Sequence, residues 1–128
     1  MPAIDLTPSR QDFTLTRGDT WSISFTFPAE NGDPIDLTGS TWLSQIRPAG
    51  AGGRIDSNQP IFATWTIDST AEADGIIVLT LDSSETEKAD IEVTYWYDIQ
   101  QTKDGKVATP VQGKITVVPD VTIEEVSP

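Results

Sequence analysis

Trp21, Ile23, Phe25 and Phe27 alternate with Ser22, Ser24 and Thr26, the period of a strand with one face in a core and the other in water. The same pattern recurs along the chain in short apolar runs, each closed by Gly, Pro, Asn or Asp. Residues 13–16 form the strand before it, and Arg17-Gly18-Asp19-Thr20 between the two predicts a turn that makes them a hairpin. Residues 28–34 carry two prolines, an Asn-Gly pair and Asp33, which marks a chain reversal. Segment 41–47 then places Trp42, Ser44 and Ile46 on one face and Leu43, Gln45 and Arg47 on the other, with Ser44 as the polar exception on the inward face. Residues 48–53 hold three glycines and are expected to form a mobile loop, because glycine loses the most backbone entropy on ordering.

Alternation resumes over 61–68, and Asp74-Gly75 turns the chain into 76–81, so these two segments are expected to pair. Only 82–90 suits a helix, of a turn or two, with Asp82 or Ser83 as its cap and Glu85 near its positive end. Over 93–102, Val93, Tyr95, Tyr97 and Ile99 share a face that Trp96 opposes, and Asp104-Gly105 is a two-residue hairpin signal. The returning strand, 106–118, is interrupted at Pro110, which cannot donate to a ladder and so predicts an edge or bulge. The pattern gives one all-β domain over 12–119, with an N-terminal arm over 1–11 and a C-terminal arm over 120–128.

Composition narrows the chemistry. The 128 residues include neither His nor Cys, so the usual general base, zinc ligand, thiolate nucleophile and disulfide staple are all missing. Any enzyme would have to work with carboxylates, hydroxyls and lysine, and a binding or assembly role is expected instead, without a cofactor. Twenty acidic residues against eight basic ones leave a net charge of −12, which argues against nucleic acid, whose phosphates are bound by Lys and Arg. No run approaches the roughly 20 apolar residues of a membrane span, and the first ten residues lack the apolar stretch of a signal peptide.

Several motifs invite a sharper reading. Arg17-Gly18-Asp19 matches a tripeptide read by integrins, but a turn between strands explains it equally. Asn31, Asp33 and Asp36 in one loop, and Asp68, Glu72 and Asp74 in another, offer oxygens to calcium without reproducing the twelve-residue calcium loop. Solvated turn acids are the expectation, with no metal site. Glu85, Glu87 and Asp90 crowd one short segment that is expected to face water rather than to cleave a glycosidic bond. The glycines at 50–53 lack the Lys-Ser or Lys-Thr of a phosphate cradle. Most of the aromatics fall on core positions, whereas Trp96 would be exposed unless another chain or an arm covers it.

Taken in order, residues 13–20, Asp36-Leu37-Thr38-Gly39, Gln45-Ile46-Arg47, Tyr97-Asp98-Ile99, Asp104-Gly105-Lys106 and Gly113-Lys114-Ile115-Thr116-Val117 form a signature. It resembles the immunoglobulin-like N-terminal domain of tailed-phage baseplate upper proteins and related small phage virion proteins, over roughly residues 13–122. The resemblance implies an immunoglobulin-like β-sandwich of about seven antiparallel strands with one short helical turn. It also implies a non-enzymatic virion subunit, a tail or baseplate adaptor assembled in the host cytoplasm that joins other virion proteins in a symmetric, multi-copy assembly. The glycine-rich insertion over 48–60 and Ser44 depart from that pattern. Sheet edges and arms would make the contacts, with Ile4, Leu6, Trp96, Val121, Ile123 and Val126 as the anchors. A capsid decoration protein and a carbohydrate-binding module for host recognition are the alternatives.

Overall fold

Asp104-Gly105 makes the two-residue turn that its sequence dictates, since both residues hold the positive φ (53° and 75°) that a type I′ hairpin needs. The turn joins β9 (Thr94–Lys103) to β10 (Lys106–Val118), which begin in register at Lys103 and Lys106. The computed structural model describes residues 9–27 and 35–121. Within them the remaining strands are β1 (Ser9–Arg10), β2 (Phe13–Thr16), β3 (Trp21–Thr26), β4 (Thr41–Leu43), β5 (Gln45–Pro48), β6 (Ala63–Thr64), β7 (Thr66–Asp68) and β8 (Ile76–Leu81). The short helix α1 (Ser83–Thr86) precedes β9.

These strands build two sheets. The larger runs β1-β10-β9-β5-β6, with β2 continuing β1 along β10 and β4 preceding β5 along β9; the smaller runs β3-β8-β7. β1 and β2 lie parallel to β10, which is possible because nearly the whole domain separates them in sequence and no short turn has to join them. All other pairs are antiparallel. The result is an all-β, immunoglobulin-like sandwich with one helical turn.

The bulge at Pro110 decides which face of β10 is dry. Before it Ala108 stands opposite Gln101, and after it Val111 stands opposite Ile99, so the strand gains one residue. Without that residue Val111 would stand opposite the exposed Asp98. With it Val111, Ile115 and Val117 turn into the core, and Gln112 takes the place beside Asp98.

Between the sheets Trp21, Phe25, Trp65, Tyr95 and Tyr97 are buried together with Ile77, Leu79, Ile99 and Ile115. Each such side chain contributes roughly 1.5–3 kcal/mol through removal from water. Tyr95 also closes the corner above β9, where its hydroxyl accepts the Asp90 N–H at 2.9 Å, as in the tyrosine corner of immunoglobulin sandwiches. Ser44, fully buried, separates β4 from β5, and its hydroxyl donates to the Asp98 carbonyl. The polar exception is thereby satisfied, which is why the core tolerates it.

Two expectations change. β2 and β3 do not form a hairpin; the residues between them carry the chain from the large sheet to the small one. Their apolar faces meet across the core, with the Phe13 and Phe25 rings edge to face at 6.1 Å, and strands that cover each other in this way cannot also pair side by side. Segment 61–68 likewise splits at buried Trp65: β6 joins β5 in the large sheet and only β7 pairs with β8. The glycine-rich stretch is anchored to the sandwich, through Ala49 N–H to the Thr94 carbonyl at 2.8 Å and the Trp96 indole N–H to the Gly53 carbonyl at 2.9 Å.

Candidate functional site

Two surface features stand out, and the first is a sheet edge. β3 pairs with β8 alone among the described strands, so its far side is open over six residues. The Phe27 N–H donates to the Gly75 carbonyl at 2.8 Å, which fixes the alternation along the pair. Trp21, Ile23 and Phe25 direct their backbone groups at β8, and Ser22, Ser24 and Thr26 direct theirs outward. The side chains of these three are short, uncharged and exposed. No Lys, Pro or bulge interrupts the edge, and those are the devices that keep sheet edges from recruiting further strands.

The second feature is a cleft of about 200 Å³ on the outer face of the large sheet. Alternation along β9 sends Trp96, Asp98 and Gln100 outward, while β4 and β5 contribute Leu43, Gln45 and Arg47, and the post-bulge part of β10 contributes Gln112. Ile55, Asp56 and Ser57, from the loop after β5, close one side. Arg47 ties that loop down by donating to the Gln59 carbonyl, and its other terminal nitrogen donates to Gln45 Oε1 at 3.3 Å. Crowding by the cleft walls pushes the Asp98 carboxyl above the ordinary carboxylate range, against the pull of the Arg47 charge.

The anchors named from the sequence fare differently. Trp96 does face outward, but its own chain covers part of it: the Gly53 carbonyl takes its N–H, and the Arg10 guanidinium lies 5.1 Å from the ring centroid. Val121 is 98% exposed. Ile4, Leu6, Ile123 and Val126 lie outside the described residues. The end of the N-terminal arm is part of the sandwich, since Ser9 and Arg10 pair with β10 and Gln11 N–H donates to the Gln112 carbonyl at 3.0 Å.

Other candidates resolve into local structure. Arg17 pairs with Asp120 at 3.0 Å, which ties the first sheet crossing to the end of β10, and Gly18 supplies the positive φ of 86° there. Asp36 and Asp68 each accept the N–H and hydroxyl of the threonine two residues on, and these bonds hold both carboxyls below the ordinary range. Asn31 and Asp33 lie outside the described residues. Among the described residues no group of three or more acidic side chains is arranged to hold a metal ion, and no helix is long and apolar enough to cross a membrane.

The edge and the cleft sit on a scaffold whose class the topology defines, an immunoglobulin-like β-sandwich. Comparison with protein-family models returns no match, and comparison with curated proteins returns none either.

Proposed function

We propose that this chain is a non-enzymatic structural subunit of a tailed-phage virion, an adaptor at the tail or baseplate. A neighbouring subunit adds an extended strand to the free edge of β3. The resemblance of the ordered signature to that of baseplate upper proteins supports the virion role, and the edge supports the mode of attachment. The single observation that carries this mode is that Ser22, Ser24 and Thr26 present backbone groups with no strand partner among the described residues, on a strand with no charge, proline or bulge within it. At about 3.3 Å per residue this edge offers some 20 Å for a partner strand, longer than the edge of β7 or β6. Val121, 98% exposed at the end of the described residues, is a second, apolar anchor for a neighbouring subunit.

Proline scanning tests the proposal. Ser24→Pro deletes an N–H that points away from β8, so the fold should survive and incorporation into particles should be lost. Ile23→Pro deletes an N–H that β8 uses, and should unfold the domain. Wild-type incorporation of a folded Ser24→Pro variant would overturn the edge mechanism. Labelled protein located on the head rather than the tail by electron microscopy would replace the adaptor with a shell-decorating subunit.

A further inference from the structure

The cleft on the large sheet is a site of a different kind from the edge. Its floor carries three side-chain amides, Gln45, Gln100 and Gln112, around the Asp98 carboxylate. Gln112 stands directly opposite Asp98 across the strand pair. An amide donates through nitrogen and accepts through oxygen, and a carboxylate accepts on both oxygens. The Asp98 carboxylate takes no hydrogen bond among the described residues, in keeping with the desolvation that raises its pKa. Gln45 spends its oxygen on Arg47 and keeps its NH₂ for a ligand. Leu43, Ile55 and the indole of Trp96 add apolar surface beside these polar groups.

Such a set matches a compound with adjacent hydroxyls above an apolar ring face. Planar groups with both donor and acceptor capacity bind vicinal hydroxyls in pairs, and C–H groups of a sugar ring pack on indole and aliphatic surface. An anion is disfavoured, because Asp56 and Asp98 both face the cleft, the chain carries −12, and the Arg47 guanidinium is engaged by the Gln59 carbonyl and Gln45. A cationic side chain would have to enter beside Arg47. We propose that this cleft binds a neutral saccharide. The volume of about 200 Å³ is below the roughly 300–1,000 Å³ of sites for drug-sized ligands, which restricts the occupant to one ring, such as the end of a glycan chain. Arg10, over Trp96, and the loop anchored by Arg47 hold the two walls in place.

A glycan array of neutral and acidic saccharides, read with the full chain, finds the ligand class. Titration by heteronuclear NMR with the corresponding free monosaccharide then separates a free sugar from a chain end. The expected result is binding of neutral glycans, with shifts at the Asp98, Gln100 and Gln112 amides. Asp98→Ala should weaken it about 10- to 100-fold, the loss expected for one hydrogen bond to a charged group. Gln100→Ala, which leaves every charge in place, should weaken it as well, while both variants keep the wild-type thermal unfolding profile. Failure of every neutral saccharide to bind, binding untouched by both substitutions, or preferential binding of a lysine-rich peptide included as a probe would each overturn the proposal. Because β3 lies in the other sheet, none of these outcomes bears on the edge.

Discussion

Adding one methyl group to Gly113 should detach the first strand of the domain from its sheet. A Cβ at this position would lie 1.8 Å from the Gln11 carbonyl oxygen and 2.6 Å from the carbonyl carbon, far inside any tolerated separation. Both neighbours are backbone, so no side chain can swing aside. The stretch joining β1 to β2 must move away from β10, and three interactions go with it. These are the Gln11 N–H to Gln112 carbonyl bond at 3.0 Å, the Tyr97 hydroxyl to Gln11 carbonyl bond at 2.7 Å, and the Lys114 N–H to Asp12 carboxylate bond at 2.9 Å. At about 1 kcal/mol each, Gly113→Ala should cost about 3 kcal/mol. For a domain of this size that corresponds to a fall in melting temperature of roughly 10 °C. Thermal unfolding followed by tryptophan fluorescence measures it, and amide exchange at Gln11 locates it. A melting temperature unchanged within about 2 °C would refute the close approach of the two backbones.

Ser44→Ala leaves the Asp98 carbonyl without its hydroxyl partner at a fully buried position and should cost about 1–2 kcal/mol in urea unfolding. Arg17→Lys should move stability by less than about 1 kcal/mol, because the pair with Asp120 is partly exposed, and cell-adhesion assays should show no response to Arg17-Gly18-Asp19. Burial, reinforced by the Asp12 charge, raises the pKa of Tyr97 well above its ordinary value of 10. The folded chain therefore keeps a proton that the unfolded chain releases, so stability is complete below about pH 10 and falls as pH rises beyond it. Tyr97→Phe should be less stable than wild type at pH 7 through loss of the bond to Gln11, and should show a shallower alkaline decline in melting temperature.

What the sequence made legible was local. Alternation placed Tyr95, Tyr97 and Ile99 inside and Trp96 outside, Asp104-Gly105 announced its hairpin, and Pro110 marked its bulge. Partnership between strands was not legible, because alternation states which side chains are dry but not which sheet covers them. Hence β2 and β3 read as a hairpin although they face each other across the core, and 61–68 gave no sign that Trp65 hands the chain from one sheet to the other. The cleft was hidden for the same reason. Gln45, Asp98 and Gln112 stood on outward positions of three separate segments, and the bulge sets the register that joins the last two. The signal available was the set of polar, planar side chains on those outward positions, and it becomes a site only once β5, β9 and β10 are neighbours.

The central claim, attachment through the open side of β3, is tested most directly by amide hydrogen exchange at Ser22, Ser24 and Thr26 in the isolated chain and in the intact particle. The account predicts fast exchange at all three in isolation and strong protection in the particle, with Trp21, Ile23 and Phe25 protected in both states. Equal exchange at Ser24 in the two states would contradict it.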